Sequence, residues 1–229
     1  MNNALVLTFS IFGNFTAITS NIVNIVKKFP AYEKNVENQV NNLNGFVSQI
    51  YVIRKPLDGL NIGSTRIDYF YNIDFDDKNV KNINEMISMA KSNFEKVLSG
   101  YNYMINRIAI NSSYFFEDTS NNKIKLLLSK KASELINNNS AEFNLRFNSP
   151  VEIEKKMFND ILTISHGGIQ NRFDFTTKNG LLLQNDFNSV VGVFSELNSI
   201  ELSFSYFKEM LKVSSKNIKS INEVLMNEQ

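Results

Sequence analysis

An alternation with a period of two opens the chain: Leu5, Leu7, Phe9 and Ile11 interleave with Val6, Thr8, Ser10 and Phe12, which predicts a strand with one strongly apolar face. From Thr16 to Phe29 the residues Ile18, Ile22, Ile25, Val26 and Phe29 recur at helical spacing, and Pro30 supplies a stop. A helix packed on the sheet is expected there. Residues 33–45 carry only scattered Val and Leu among polar groups and read as a weak extension of that helix or as a loop. Phe46 to Ile53 reads as a strand, Pro56 to Gly63 as a turn-rich connection, and Thr65 to Phe75 as a second strand. In the last, Ile67, Tyr69, Tyr71, Ile73 and Phe75 point one way, while Arg66, Asp68, Phe70, Asn72 and Asp74 point the other. One face is buried and the other wet.

Val80, Ile83, Ile87, Ala90, Phe94 and Val97 recur at spacings of three and four, the strongest helical signal in the chain, and Gly100 ends it. Beyond it, Tyr103 to Phe116 predicts a strand, Lys123 to Ile136 a helix, Ala141 to Asn148 a strand, and Met157 to Ser165 and Asn171 to Lys178 two more. Asn179-Gly180, between Phe173/Phe175 and Leu181/Leu183, carries the signal of a type I′ hairpin turn. Asn198, three residues before Glu201, resembles a capping box. Phe207, Met210, Leu211, Ser214, Ile218, Ile221 and Leu225 make a long amphipathic final helix.

The fold class that follows is α+β, mainly antiparallel sheet with amphipathic helices on one face. Residues 1–100 read β-α-β-β-α and residues 101–229 read β-α-β-β-β-β-α. The pattern fits two tandem α+β units divided there or one continuous domain.

Composition changes this picture little. The 229 residues are 43% hydrophobic and 21% charged, enough for a core and far from a disordered composition. The 35 Asn, 23 Ile and 19 Lys against five Arg are what AAT, ATA and AAA codons produce, and they point to an AT-rich microbial or phage genome. The first twelve residues lack the basic start of a signal peptide, and no run of about 18 apolar residues occurs. A cytoplasmic location without membrane contact is the expectation.

Candidate chemistry is sparse. Zero cysteines remove disulfides, thiol nucleophiles and Cys-ligated metals, and a single histidine, His166, excludes His-rich metal sites. Asp74 and Asp76 lie about 6.8 Å apart along an extended strand, and with Asp77 they form the one metal-site candidate, for a Mg²⁺-dependent hydrolase or nuclease. The simpler reading is a solvated strand end entering a helix N-terminus. His166-Gly167-Gly168 reads as a glycine loop between strands, with no partner carboxylate at a recognised spacing. No glycine-rich phosphate loop is present, and no cofactor is implied.

Arg66, Arg107, Arg146 and Arg172 each fall in a predicted strand. With Tyr69, Tyr71 or Phe173 nearby they suggest an aromatic, basic sheet surface for a partner, single-stranded nucleic acid included. Ordinary cross-strand ion pairing explains them as well. A net charge of +1 draws no polyanion to the chain as a whole. The expectation is therefore a non-enzymatic intracellular protein that binds another macromolecule, foremost a protein, in the manner of an inhibitor, antitoxin or immunity factor in microbial or phage conflict. The final helix either docks on its own sheet or across a homodimer.

Overall fold

The computed structural model describes residues 4–40, 47–72, 82–117, 143–170, 177–194 and 199–226. Among the described residues nine antiparallel strands form one sheet: β1 (Ala4–Asn14), β2 (Glu33–Val40), β3 (Val47–Arg54), β4 (Asp58–Ile62), β5 (Arg66–Asn72), β6 (Met104–Glu117), β7 (Phe143–Ile153), β8 (Lys156–Gln170) and β9 (Thr177–Ser189). Their spatial order is β2-β3-β4-β5-β1-β6-β9-β8-β7. β1 and β6 lie side by side near the centre. From each the chain passes to an outer edge and returns strand by strand, through β2 to β5 on one side and β7 to β9 on the other. The sheet runs unbroken through the division at residue 100, because β1 pairs with β6 from Ala4↔Tyr114 to Asn14↔Met104.

The described helices are α1 (Thr16–Thr19), α2 (Ile22–Lys27), α3 (Ile83–Leu98) and α4 (Ile200–Met226). All four contribute to one face of the sheet. Leu7, Phe9 and Ile11 of β1, Ile67, Tyr69 and Tyr71 of β5 and Ile108 and Ile110 of β6 bury against Phe94 of α3 and Phe204, Phe207 and Met210 of α4. Ile18 of α1 and Ile25 of α2 join the same cluster. Farther along α4, Ile218 and Ile221 pack on Phe116, Ile164, Leu181 and Leu183. From Phe204 to Ile221 the described apolar residues of α4 pack on its own sheet. Ser214 of α4 donates to Asn185 Oδ1 at 2.7 Å, and Asn185 donates to Asp160 at 2.5 Å, so a buried polar chain also ties α4 to β9 and β8.

The helix ends follow local chemistry. Asn82 caps α3 by accepting from the Glu85 amide at 3.0 Å, and Gly100 takes φ 86° just past the last turn. Ser199 Oγ accepts from the Leu202 amide at 3.2 Å, so the α4 cap stands on Ser199; Asn198 lies outside the described residues. The single helix expected from Thr16 to Phe29 is divided in two. Asn21 leaves helical geometry at φ −115° and its side chain donates to the Ala17 carbonyl, a local competitor of the helix ladder.

Several expectations are corrected. Residues 33–40 form a strand, exposed along the sheet edge, where no apolar face is needed and where charges discourage further pairing. The connection Pro56 to Gly63 contains β4, whose Leu60 and Ile62 enter the core. Asn179-Gly180 is no turn: Gly167 pairs with Gly180 and Gly168 with Asn179, in a ladder that continues to Gln170↔Thr177. Gly180 is glycine for space, since a Cβ there would lie 2.3 Å from the Phe116 carbonyl oxygen. The helix expected over Lys123 to Ile136 lies outside the described residues, as does nearly all of the strand expected over Asn171 to Lys178.

The tight two-residue hairpin occurs instead at Glu154-Lys155, between the paired Ile153 and Lys156, with φ 49° and 62°. Left-handed geometry is unfavourable for a side chain such as lysine. Lys155→Gly is therefore expected to stabilise the fold by about 0.5–1 kcal/mol, read as a higher urea midpoint at unchanged slope. A lower midpoint would show that the Lys155 side chain holds the turn.

Candidate functional site on the uncovered face of the sheet

Among the described residues no helix covers the opposite face of the sheet, so its side chains follow the strand register directly. Three cross-strand rows meet at the centre. Arg66 of β5, Phe12 of β1 and Arg107 of β6 are paired in one row. Asp68, Ser10, Ala109 and Asn188 make the second, and Phe70, Thr8, Asn111 and Asp186 the third. At its centre the middle row contributes only the small side chains of Ser10 and Ala109, which are 0% and 2% exposed. A hollow of about 330 Å³ results, walled by Phe12, Arg66 and Arg107 on one side and by Thr8, Asn111 and Asp186 on the other.

Each guanidinium of the first row lies over the Phe12 ring, Arg66 at 5.0 Å and Arg107 at 4.9 Å from its centroid. Aromatic stacking holds a planar guanidinium in place while leaving its edge free to bond. The two arginines differ in what else they touch. Arg66 Nε donates to the buried Asp68 at 2.6 Å and its terminal nitrogen donates to Ser10 at 3.3 Å. Among the described residues Arg107 has no carboxylate within ion-pair distance, and its Nε is enclosed without a hydrogen-bond partner there. A β-bulge sets this geometry: the β1–β6 register shifts between Phe12 and Gly13, and Arg107 stands at that step.

The residues singled out in the sequence are distributed unevenly. Arg66 and Arg107 line the hollow, and Arg146 is exposed on the same face, in the row that runs through Thr163, Gln184 and Ser113. Tyr69 and Tyr71 do not belong to this surface. They point to the helix side and are 0% and 3% exposed, as the alternation with Arg66 requires. Tyr69 and Tyr32 both donate to Asp58 Oδ2, at 3.3 and 2.9 Å. Burial, reinforced by that carboxylate, pushes the Tyr32 phenol up to about 12 and the Tyr69 phenol higher still. Asp74, Asp76, Asp77 and Arg172 lie outside the described residues. His166 is within β8, not in a loop, and its ring stacks on Phe143 at 5.9 Å on the helix side.

Phe12, Asn111 and Asp186 were not singled out in the sequence. A signal for Phe12 exists, as the large aromatic among the otherwise small or aliphatic residues Val6, Thr8 and Ser10 on its side of β1. For Asn111 and Asp186 none exists without the pairing of β1, β6 and β9. Among the described residues no helix is long and apolar enough to cross a membrane. The sequence matches no protein-family model and no curated protein.

Proposed function

We propose that the chain is a non-enzymatic binding protein that seats a protein partner on the uncovered face of its sheet. The observation that carries this reading is the segregation of arginine: Arg54, Arg66, Arg107 and Arg146, all those described, have register positions on that face. Arginine is among the residues enriched at protein interfaces, and it is scarce in this chain, so its gathering on one side is meaningful. Charge balance favours a protein over a nucleic acid. Glu33, Glu37, Asp68, Glu152 and Asp186 share the face with these arginines and Lys178, and such a mixture repels a polyanionic backbone as much as it attracts it. An inhibitor or immunity-type factor acting in the cytoplasm is the form we assign to such a binder.

Site-specific photocrosslinking in the source cells tests the proposal. A crosslinker replacing Gln184, exposed on the uncovered face, is expected to capture one protein species, and a crosslinker replacing Lys208, exposed on α4, is expected to capture none. Capture from Lys208 alone, or nuclease-sensitive adducts at Gln184, would overturn it.

A further inference from the structure

Resting on that reading, we infer that the central hollow receives an acidic side chain of the protein partner and that Arg107 takes its carboxylate. Arg54 sits 3.8 Å from Glu33 and Arg66 2.6 Å from Asp68, whereas among the described residues Arg107 has no such neighbour. Its guanidinium is nevertheless positioned, stacked on Phe12 rather than held by an ion pair. A planar fork already fixed in place loses little freedom on binding a carboxylate, and the buried floor of Ser10 and Ala109 limits the water that would compete.

The opposite wall restricts what fits. Asp186 stands across the hollow with Asn111 and Thr8, so the space has a cationic side and an anionic side. A single carboxylate can approach Arg107 and leave Asp186 facing a donor, such as a backbone amide of the same partner segment. A phosphate, with more charge and oxygens on every side, meets Asp186 whichever way it turns. The hollow therefore discriminates by number of charges as well as by sign.

The test follows the Arg107 Nε–Hε signal of the full chain by ¹⁵N NMR, in a spectrum with only five arginine side chains. The probes are N-acetyl-glutamate N-methylamide, its glutamine counterpart and inorganic phosphate. Expected is a saturable shift with the glutamate probe, at least several-fold larger than with the glutamine probe or phosphate. In Arg107→Gln the other hollow signals, the Asn111 side-chain amide among them, stop responding. Arg107→Lys keeps the charge, loses the fork and is expected to weaken the response, which guards against a misfolded glutamine variant. Asp186→Asn is expected to admit phosphate. Equal shifts with glutamate and glutamine probes, or a phosphate response in the unaltered chain as large as the glutamate one, overturn the inference. Crosslinking from Gln184 separates the two levels. Undiminished capture by Arg107→Gln, with no probe response in the unaltered chain, removes the carboxylate pocket and leaves the face reading standing. A probe response with no protein captured removes the face reading instead.

Discussion

Phe207→Ala is expected to lower the free energy of unfolding by about 3–5 kcal/mol, the usual cost of deleting a buried aromatic ring. Phe207 is fully buried where α4 crosses the centre of the sheet. Its ring meets Phe9 of β1 edge-on at 5.4 Å and Phe204 at 5.1 Å, and Phe204 reaches Phe94 of α3 at 5.9 Å. Phe207 thus joins the central strand to α4, and Phe204 carries the cluster on to α3. Neighbours fixed on a sheet cannot collapse into the space it leaves, which places the loss toward the upper part of that range. Domains of this kind are stable by about 5–15 kcal/mol in all, so the variant should unfold at much lower denaturant. Phe147→Ala supplies the contrast: at 44% exposure on β7 it should cost far less. A Phe207→Ala midpoint within error of the parent chain would mean that α4 does not pack on β1 as described.

The contrast between these two phenylalanines also marks what could be read from sequence. Where an element buries one face, periodicity announces it: β1, β5, β6, α3 and α4 fall where the spacing of Phe9, Tyr69, Ile108, Phe94 and Phe207 put them. β2 gives no such sign because it is exposed on both faces and exists through its pairing with β3, from Glu33↔Arg54 to Val40↔Val47. Turn chemistry misled in the same way. Asn-Gly is a strong local signal for a type I′ turn, yet Gly180 answers to the Phe116 carbonyl of a neighbouring strand, and the tight turn is made by Glu154-Lys155. Local rules yield when a long-range contact is worth more.

The candidate site was legible by face and hidden by register. Alternation alone puts Arg66 and Tyr69 on opposite sides of one strand, so grouping them as one surface contradicted the pattern that revealed the strand. What no local pattern supplies is adjacency. Arg66, Phe12 and Arg107 form one row only because β1 lies between β5 and β6 in a particular register, which joins residues 54 and 95 positions from Phe12. Asp186 enters from a fourth strand by the same route.

That dependence on register makes Gly13 the position where stability and site are joined. A Cβ on Gly13 would lie 1.8 Å from the Met104 carbonyl oxygen, 2.8 Å from its carbon and 3.2 Å from Ile105 Cα, all backbone atoms that no rotamer change can move aside. Gly13→Ala must therefore part β1 from β6 at the bulge or shift their register. The cost expected is about 3 kcal/mol, the upper end for overpacking, because the strain falls on a ladder rather than on a soft side chain. Gly167→Ala in β8, with nothing within 4 Å of its added Cβ, is the matched control and should lie close to the parent. The bulge also sets Arg107 beside Phe12, so the damage should not stop at stability. In Gly13→Ala protein that remains folded, the Arg107 Nε–Hε signal should move before any ligand is added, and its response to the glutamate probe should fall. A variant that loses stability but keeps the Arg107 signal in place would show that stacking on Phe12, rather than the bulge, aims the guanidinium into the hollow.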